Sequence, residues 1–268
     1  MNPALTLISA LLLAPLTALI AGESSLALTL PPRWYATPGV PMSLYFDNVV
    51  LTETPEKYRF EITSDVGKSE ALRWTVKPSD SDVGDHCIEV KIKDASGTVL
   101  ASGLTTLQVS PRNSGDGKTL RLLIVGDSLT HATIYPNVIA NLLSRPGNPK
   151  WTMLGTHHPA SALPTVNHEG YGGWKWADFL TKYTAPTPGV TAGPLARKST
   201  SPFIFPSANG KTGVFDLPRY FKEHGDGLPP DIITFLLGIN DCFGADPNNP
   251  DKKINEVLDQ ADKLLAEF

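Results

Sequence analysis

The chain has 268 residues, 41% hydrophobic and 19% charged, a composition typical of a globular protein with room for two modest cores. Its formal net charge is only -4, and no run of lysine or arginine is present. This net charge and the lack of basic runs argue against a protein that binds nucleic acid or anionic membranes through a basic surface. We therefore expect a neutral small molecule or polymer as the partner.

An apolar run, Leu5 to Ala21, opens the chain and is broken by Pro15. Small residues follow it, as in a secretory signal peptide, and we assign residues 1–27 to such a peptide. A membrane anchor is the alternative, because the run is about as long as a short membrane span and has no lysine or arginine before it. The signal peptide predicts a secreted or periplasmic protein of the cell envelope, without stable membrane insertion after cleavage.

Short runs of alternating polar and apolar residues follow, separated by turn signals such as Asp65-Val66-Gly67. The predicted strands are Ser43–Phe46, Tyr58–Ile62, Leu72–Val76, His86–Ile92 and Leu104–Val109. This spacing predicts an all-β, immunoglobulin-like sandwich over residues 28–112. Residues 113–118 are polar and rich in turn formers, so we expect them to form a linker.

From residue 119 to 268 the pattern changes to buried strands that alternate with helices. The predicted strands are Leu120–Val125, Trp151–Leu154 and Ile232–Leu237. The predicted helices are Tyr135–Leu143, Trp174–Tyr183, Phe215–His224 and Asn255–Phe268. Alternation of this kind predicts an α/β domain, with a parallel sheet and helices on both of its faces.

A segment without clear periodicity, Thr184 to Val214, is rich in Pro, Gly, Ser and Thr and is longer than an ordinary connection. It is either a wall of the substrate site or a surface insertion.

The two cysteines, Cys87 and Cys242, fall in different predicted domains. We therefore expect no disulfide between them, and the Cys and His spacing predicts no metal site.

The pentapeptide Gly126–Thr130 (Gly-Asp-Ser-Leu-Thr) follows the first buried strand and precedes a helix. Ligands of open α/β sheets bind at this end of the strands. A serine hydroxyl there can attack a carbonyl carbon, and the backbone N–H groups of the helix N-terminus favour the developing negative charge. The alternative is structural, with Ser128 as a helix N-cap and Gly126 as a turn glycine.

Two further blocks lie downstream. Gly170–Trp174 (Gly-Tyr-Gly-Gly-Trp) is a glycine-rich turn that can expose a backbone N–H to a substrate. Its spacing matches neither a phosphate-binding loop nor a dinucleotide fingerprint. Gly238–Asp241 (Gly-Ile-Asn-Asp) follows the strand that begins at Ile232, so Asn240 can direct its amide at an oxyanion.

In this order the three blocks resemble those of the SGNH hydrolases, also called the GDSL esterase and lipase family. The resemblance covers residues 119–268 and implies a flavodoxin-like three-layer fold without a cofactor or metal. It implies Ser128 as nucleophile and Gly173 and Asn240 as oxyanion donors beside the Ser128 N–H. Gly172 is an alternative to Gly173. Asp127 is expected to tie the nucleophile turn rather than to transfer protons.

The family's last block, Asp-x-x-His, supplies the general base and the carboxylate that orients it. The six histidines are His86, His131, His157, His158, His168 and His224, and none has an aspartate three residues before it. We therefore expect that this sequence is a fragment, inactive as given, with the catalytic histidine and its aspartate beyond Phe268. His131, one turn after Ser128, is expected to line or cap the pocket rather than to act as base.

Trp174 is a candidate substrate-binding residue, because aromatic surface beside the glycine turn can stack on sugar rings. His168 is a second candidate, because it precedes that turn and can reach the rim of the cleft. The alternative is that Trp174 packs its helix against the sheet. With the export signal and the sandwich, the resemblance implies an exported carbohydrate acetylesterase. Open alternatives are a lipase or lysophospholipase, and a glycan-binding protein with a degenerate hydrolase domain. The oligomeric state is not indicated.

Overall fold

The computed structural model describes residues 26–52, 54–185 and 199–268. The chain divides after Pro111 into two compact units. Residues 1–25 of the predicted signal peptide lie outside the described residues. Among the residues that are described, no helix combines the length and apolar character needed to cross a membrane.

The N-terminal unit is β-rich. Its strands are β1 (Ala27–Leu28), β2 (Arg33–Ala36), β3 (Met42–Tyr45), β4 (Val50–Leu51), β5 (Arg59–Thr63), β6 (Lys68–Ser69), β7 (Arg73–Val76), β8 (Gly84–Lys93) and β9 (Val99–Val109). One sheet has the order β2-β9-β8-β5 and another the order β3-β7-β6, while β1 pairs with β4. All five predicted strands form, each within five residues of the expected ends.

Side-chain alternation explains the core of this unit. In β8, Ile88, Val90 and Ile92 are buried, and the intervening Glu89 and Lys91 are only partly covered. The buried face of β8 packs in one cluster with the buried residues of β7, such as Trp74, so the two larger sheets share a core.

The C-terminal unit combines helices with a parallel sheet. Its elements are β10 (Thr119–Gly126), α1 (Ser128–His131), α2 (Ile134–Leu143), β11 (Lys150–Leu154), β12 (Glu169–Gly170), α3 (Trp176–Thr181), β13 (Ile204–Pro206), β14 (Gly213–Phe215), α4 (Leu217–His224), β15 (Ile232–Leu236), α5 (Ile239–Cys242) and α6 (Pro250–Leu265). Strand β10 is central: β15 pairs along one edge, while β11 and then β12 pair along the other, all parallel.

Strand β10 is buried on both faces, as its continuous apolar run predicts. Leu122 and Ile124 pack on one face in a cluster with Ala140 of α2. Leu123 and Val125 pack on the opposite face with buried side chains of α3, α4 and α6. Helices therefore cover both faces of the sheet.

Two connecting segments are partly defined by the structure. Residues 113–118, the predicted linker, form a turn in which the Gly115 N–H donates to the Gly147 carbonyl at 3.1 Å. Of the segment from Thr184 to Val214, residues 186–198 lie outside the described residues. In the described part, β13 and β14 pair as a hairpin, and Phe203 is fully buried.

Candidate active site

The nucleophile turn lies at the carboxyl end of β10. Asp127 caps α1, because its Oδ1 accepts the Leu129 N–H at 2.9 Å. Ser128 is the first residue of the helix, and its side chain is exposed. A Cβ at Gly126 would collide with the Thr130 side chain, so glycine is required where the strand passes under the helix. The turn therefore presents the Ser128 hydroxyl to solvent on a fixed backbone.

The glycine turn is joined to the same strand end. In the parallel pairing of β10 with β12, Gly126 lies opposite Gly170, and the Tyr171 N–H donates to the Gly126 carbonyl at 3.0 Å. Gly173 is exposed and has φ +83°, a conformation that favours glycine. The φ angle of Gly172 is not positive, so its backbone conformation does not favour glycine. Of the two candidate oxyanion glycines, Gly173 thus has the backbone that only glycine adopts readily.

Asn240 links all three blocks. It lies at the start of α5, just after β15, and its side chain is buried. Its Nδ2 donates to Asp127 Oδ2 at 3.3 Å and to the Trp174 carbonyl at 3.0 Å. The amide is therefore held between the nucleophile turn and the glycine turn, and the carboxylate of Asp127 ties the site together.

His168 and Trp174 were expected to contact substrate, and the structure places them elsewhere. His168 is 0% exposed and Trp174 is 2% exposed, so neither offers a surface to a ligand. Trp174 stacks on Tyr171 and packs edge-on against Phe179, in the core of the unit. Trp174 thus packs against the sheet, as the alternative expected, but from the turn that precedes α3 rather than from a helix.

His168 is a structural histidine. Its Nδ1 accepts the Gly170 N–H at 3.0 Å, so Nε2 carries the proton and donates to Thr133 Oγ1 at 3.2 Å. Burial, together with nearby histidines such as His157, lowers its pKa to about 3. A buried imidazole with this pKa is unsuited to act as a general base near neutral pH.

Two other histidines pair beside the nucleophile helix. His131 Nδ1 and His157 Nε2 lie 2.8 Å apart, and the two rings stack with centroids 5.0 Å apart. Both side chains are partly exposed. The sequence analysis placed His131 at the pocket but did not predict the pair, because the two histidines are 26 residues apart and meet only in the folded protein.

Sequence reasoning also missed two buried carboxyl groups. Glu169 is fully buried immediately before the glycine turn. Asp241, beside Asn240, has a buried Oδ2 without a hydrogen-bond partner among the described residues, and burial raises the pKa of this carboxyl. Glu169 precedes the second block and Asp241 closes the third, which is the only signal that could have singled them out.

No curated protein matches the chain significantly. Among solved structures, fibronectin(III)-like modules of Clostridium thermocellum CbhA match at 18% identity and a TM-score of 0.24, over 32% of this chain and 97% of theirs. A mixed-linkage glucan utilization protein of Bacteroides ovatus, SGBP-B, matches at 10% identity and a TM-score of 0.25, over 38% of this chain and 28% of the SGBP-B chain. A sialyltransferase from Photobacterium damsela matches at 15% identity and a TM-score of 0.25, over 52% of this chain and 29% of the sialyltransferase chain.

These likenesses are too low to support an argument about fold or function. The family comparison is decisive, because the model of the GDSL-like lipase/acylhydrolase family matches residues 122–268, more than half of the chain. The match spans the nucleophile turn, the glycine turn and Asn240, and so includes all three blocks. The chain therefore belongs to the GDSL-like lipase/acylhydrolase family of SGNH hydrolases.

Proposed function

We propose that the protein is a serine ester hydrolase in which Ser128 is the nucleophile. The observation that supports the proposal is the position of the Asn240 amide, which bonds both Asp127, the residue before the exposed Ser128, and Trp174, the residue after Gly173. Family membership supports the same reaction class.

The reaction proceeds through an acyl-enzyme. Ser128 Oγ bonds to the ester carbonyl carbon while its proton passes to a general base. The C–O bond to the alcohol then breaks, and the alcohol leaves with a proton. Water hydrolyses the acyl-serine in the second half, which releases the acid and restores the hydroxyl.

The negative charge that develops on the carbonyl oxygen is stabilised by the N–H groups of Ser128 and Gly173 and by Asn240 Nδ2. The Ser128 N–H is in the first turn of α1, where backbone donors have no partner within the helix. Of the two Asn240 bonds, the one to Asp127 is the longer, at 3.3 Å. We expect this donor to turn from the carboxylate to the oxyanion, while the bond to the Trp174 carbonyl holds the amide in place.

As the physiological substrate we propose an acetylated carbohydrate, and as the compartment the cell envelope. The apolar N-terminal run supports export. The β-rich unit that precedes the hydrolase unit in the chain supports a polymeric substrate. We propose that this unit is an immunoglobulin-like module and that the catalytic domain is flavodoxin-like.

A lipid ester is the second candidate, and a specific observation favours it. Apolar side chains next to the site residues are exposed: Leu129 by 53%, Ile239 by 52% and Phe243 by 69%. Such side chains are suited to contact a long acyl chain.

Hydrolysis assays test the proposal and separate the two substrates. With the full-length protein, by which we mean the product of the complete reading frame, we expect acetate release from acetylated polysaccharide. The Ser128→Ala substitution should abolish this release. Ser161→Ala, a change at an exposed serine outside the site, is the matched control and should retain activity. Faster cleavage of long-chain acyl esters than of acetyl esters would favour the lipid candidate. Undiminished hydrolysis by Ser128→Ala would contradict the proposed nucleophile.

A further inference from the structure

A buried carboxyl group lies behind the proposed site and is not used by the mechanism above. Glu169 is 0% exposed and occupies the short strand β12, directly before the glycine turn. Four donors surround it: Oε1 accepts from the Thr156 N–H at 2.6 Å and the Tyr220 hydroxyl at 2.6 Å, and Oε2 accepts from the Thr156 hydroxyl at 3.0 Å and the Tyr171 hydroxyl at 2.6 Å.

The set of partners fits an ionised carboxylate. Four donors fill the acceptor positions of both oxygens, and one of them, the Thr156 N–H, can only donate. Burial outweighs the lowering effect of the surrounding hydrogen bonds and raises the pKa of Glu169 above its ordinary value. Burial, and then the charge of Glu169, also raise the pKa of Tyr220, which keeps that hydroxyl protonated and able to donate.

The partners of Glu169 come from three separate segments. Thr156 follows β11, Tyr171 lies in the glycine turn and Tyr220 lies on α4. A buried carboxylate with partners on each segment fixes their spacing, because the loss of any one donor leaves charge without compensation in an apolar region.

Two of these segments lead directly to the proposed site. Tyr171 is two residues before Gly173, and its N–H is bonded to the Gly126 carbonyl at the end of β10. Thr156 is followed by His157, whose ring pairs with His131, three residues after Ser128. The carboxylate is thus connected to both sides of the nucleophile, although it is itself inaccessible to substrate.

We propose that Glu169 is a positioning residue for the ester hydrolysis proposed above: its buried carboxylate holds the glycine turn, and with it the Gly173 N–H, in register with Ser128. This inference rests on the proposed function. It assigns Glu169 no contact with substrate and no proton transfer. Its effect is on the placement of groups whose error of about 1 Å can lower the rate on the order of 100-fold.

The test compares Glu169→Gln with wild type in the full-length protein, using hydrolysis of p-nitrophenyl acetate. Glutamine keeps the size of the side chain but removes the charge and two acceptor positions. We expect kcat to fall by about 10-fold or more with KM within about twofold, at a temperature where circular dichroism shows the variant folded. Glu223→Gln, at an exposed glutamate of α4, is the matched control and should retain wild-type kcat.

Tyr220→Phe provides a second, milder test in case Glu169→Gln does not fold. It removes one donor from the carboxylate and lies on an element that carries none of the proposed catalytic groups. We expect kcat to fall by about threefold or more, again without a matching rise in KM. A purely structural role would lower the melting temperature and leave kcat of the folded protein unchanged.

The failures can be told apart. If folded Glu169→Gln, or folded Tyr220→Phe where the first variant does not fold, has kcat within about twofold of wild type while Ser128→Ala is inactive, only the positioning role is overturned. If Ser128→Ala remains active, the proposed function is overturned, and the inference about Glu169 with it.

Discussion

The backbone of Thr133 shows how single residues define the geometry behind the nucleophile. Thr133 has φ +65°, which is uncommon for a residue with a branched side chain, and it precedes α2. Its hydroxyl donates to the His131 carbonyl at 2.9 Å and accepts the proton of His168 Nε2. The neutral form of His168 therefore supports the turn between α1 and α2.

Because His168 is neutral in the folded protein, we expect the free energy of unfolding to fall in acid. Above pH 6.5, His168 is unprotonated in both the folded and the unfolded state. Below pH 6.5, His168 becomes protonated in the unfolded state but stays neutral in the folded state, where its pKa is about 3. The free energy of unfolding should therefore fall by about 2 kcal/mol between pH 7 and pH 5 through this residue alone.

Urea unfolding of wild type and His168→Gln at both pH values measures this contribution, because glutamine does not titrate and other groups cancel in the comparison. The variant should be less stable at pH 7 and should show the smaller loss on going to pH 5. An equal loss in both proteins would show that His168 does not remain neutral in the fold.

Asn240 carries the sharpest kinetic prediction at a single side chain. Asn240→Ala removes a proposed oxyanion donor, so kcat should fall about 100-fold or more with little change in KM. Steady-state kinetics check this. Asn209→Ala, at an exposed turn of the β13–β14 hairpin, is the matched control and should behave as wild type. A loss confined to KM would indicate a role in ground-state binding instead.

At the residue scale, three short motifs can be recognised in the sequence, and the Asn240 amide joins them through its bonds to Asp127 and to the Trp174 carbonyl. Ser128, Gly173 and Asn240 each follow or precede an element whose type could be recognised locally. The assignment of His168 and Trp174 to substrate contact was wrong, because burial depends on what packs over a residue from elsewhere in the chain. The Glu169 cluster was missed for the same reason.

At the element scale, long elements with clear periodicity were predicted well. Strand β10 and helix α2 form within about a residue of their expected ends. Strand β12 was missed, because two residues carry no periodicity and its pairing is with a strand more than 40 residues earlier. The predicted helix at Trp174 begins two residues later, at Trp176, because the glycine turn continues to Lys175, whose N–H is capped by Asp178.

The glycine turn offers a matched pair of substitutions. A Cβ would meet nothing within 4 Å at either Gly172 or Gly173, but only Gly173 has positive φ, +83°. Gly173→Ala should therefore strain the turn by about 1 to 2 kcal/mol and lower kcat, whereas Gly172→Ala should leave both close to wild type. Melting temperatures and kcat for both variants check this. A larger loss of kcat in Gly172→Ala than in Gly173→Ala would show that Gly172, not Gly173, supplies the oxyanion donor.

At the scale of the whole molecule, the periodicity of the sequence changes near residue 112, and the structure divides into two compact units after Pro111. The polar, turn-rich composition of residues 113–118 does not reveal that their turn is bonded to the neighbouring segments. In it, the Lys118 carbonyl accepts the Lys150 N–H at the start of β11.

This division predicts how the two units contribute to activity. Removal of the N-terminal unit up to Pro111 should leave kcat on a small soluble ester within about twofold, because the proposed site lies wholly in the C-terminal unit. Under the carbohydrate proposal, acetate release from insoluble acetylated polysaccharide should fall. Both rates can be measured on the same preparation. Equal retention of the two activities would contradict a role of the β-rich unit in reaching the polymer.

The identity of the serine that becomes acylated tests the central claim most directly. A fluorophosphonate probe reacts with a serine only where the protein activates its hydroxyl, and peptide mass spectrometry locates the adduct. We predict one adduct, on Ser128, that is absent in Ser128→Ala and present in Ser161→Ala. An adduct on another serine, or equal labelling of Ser128→Ala, would contradict the account.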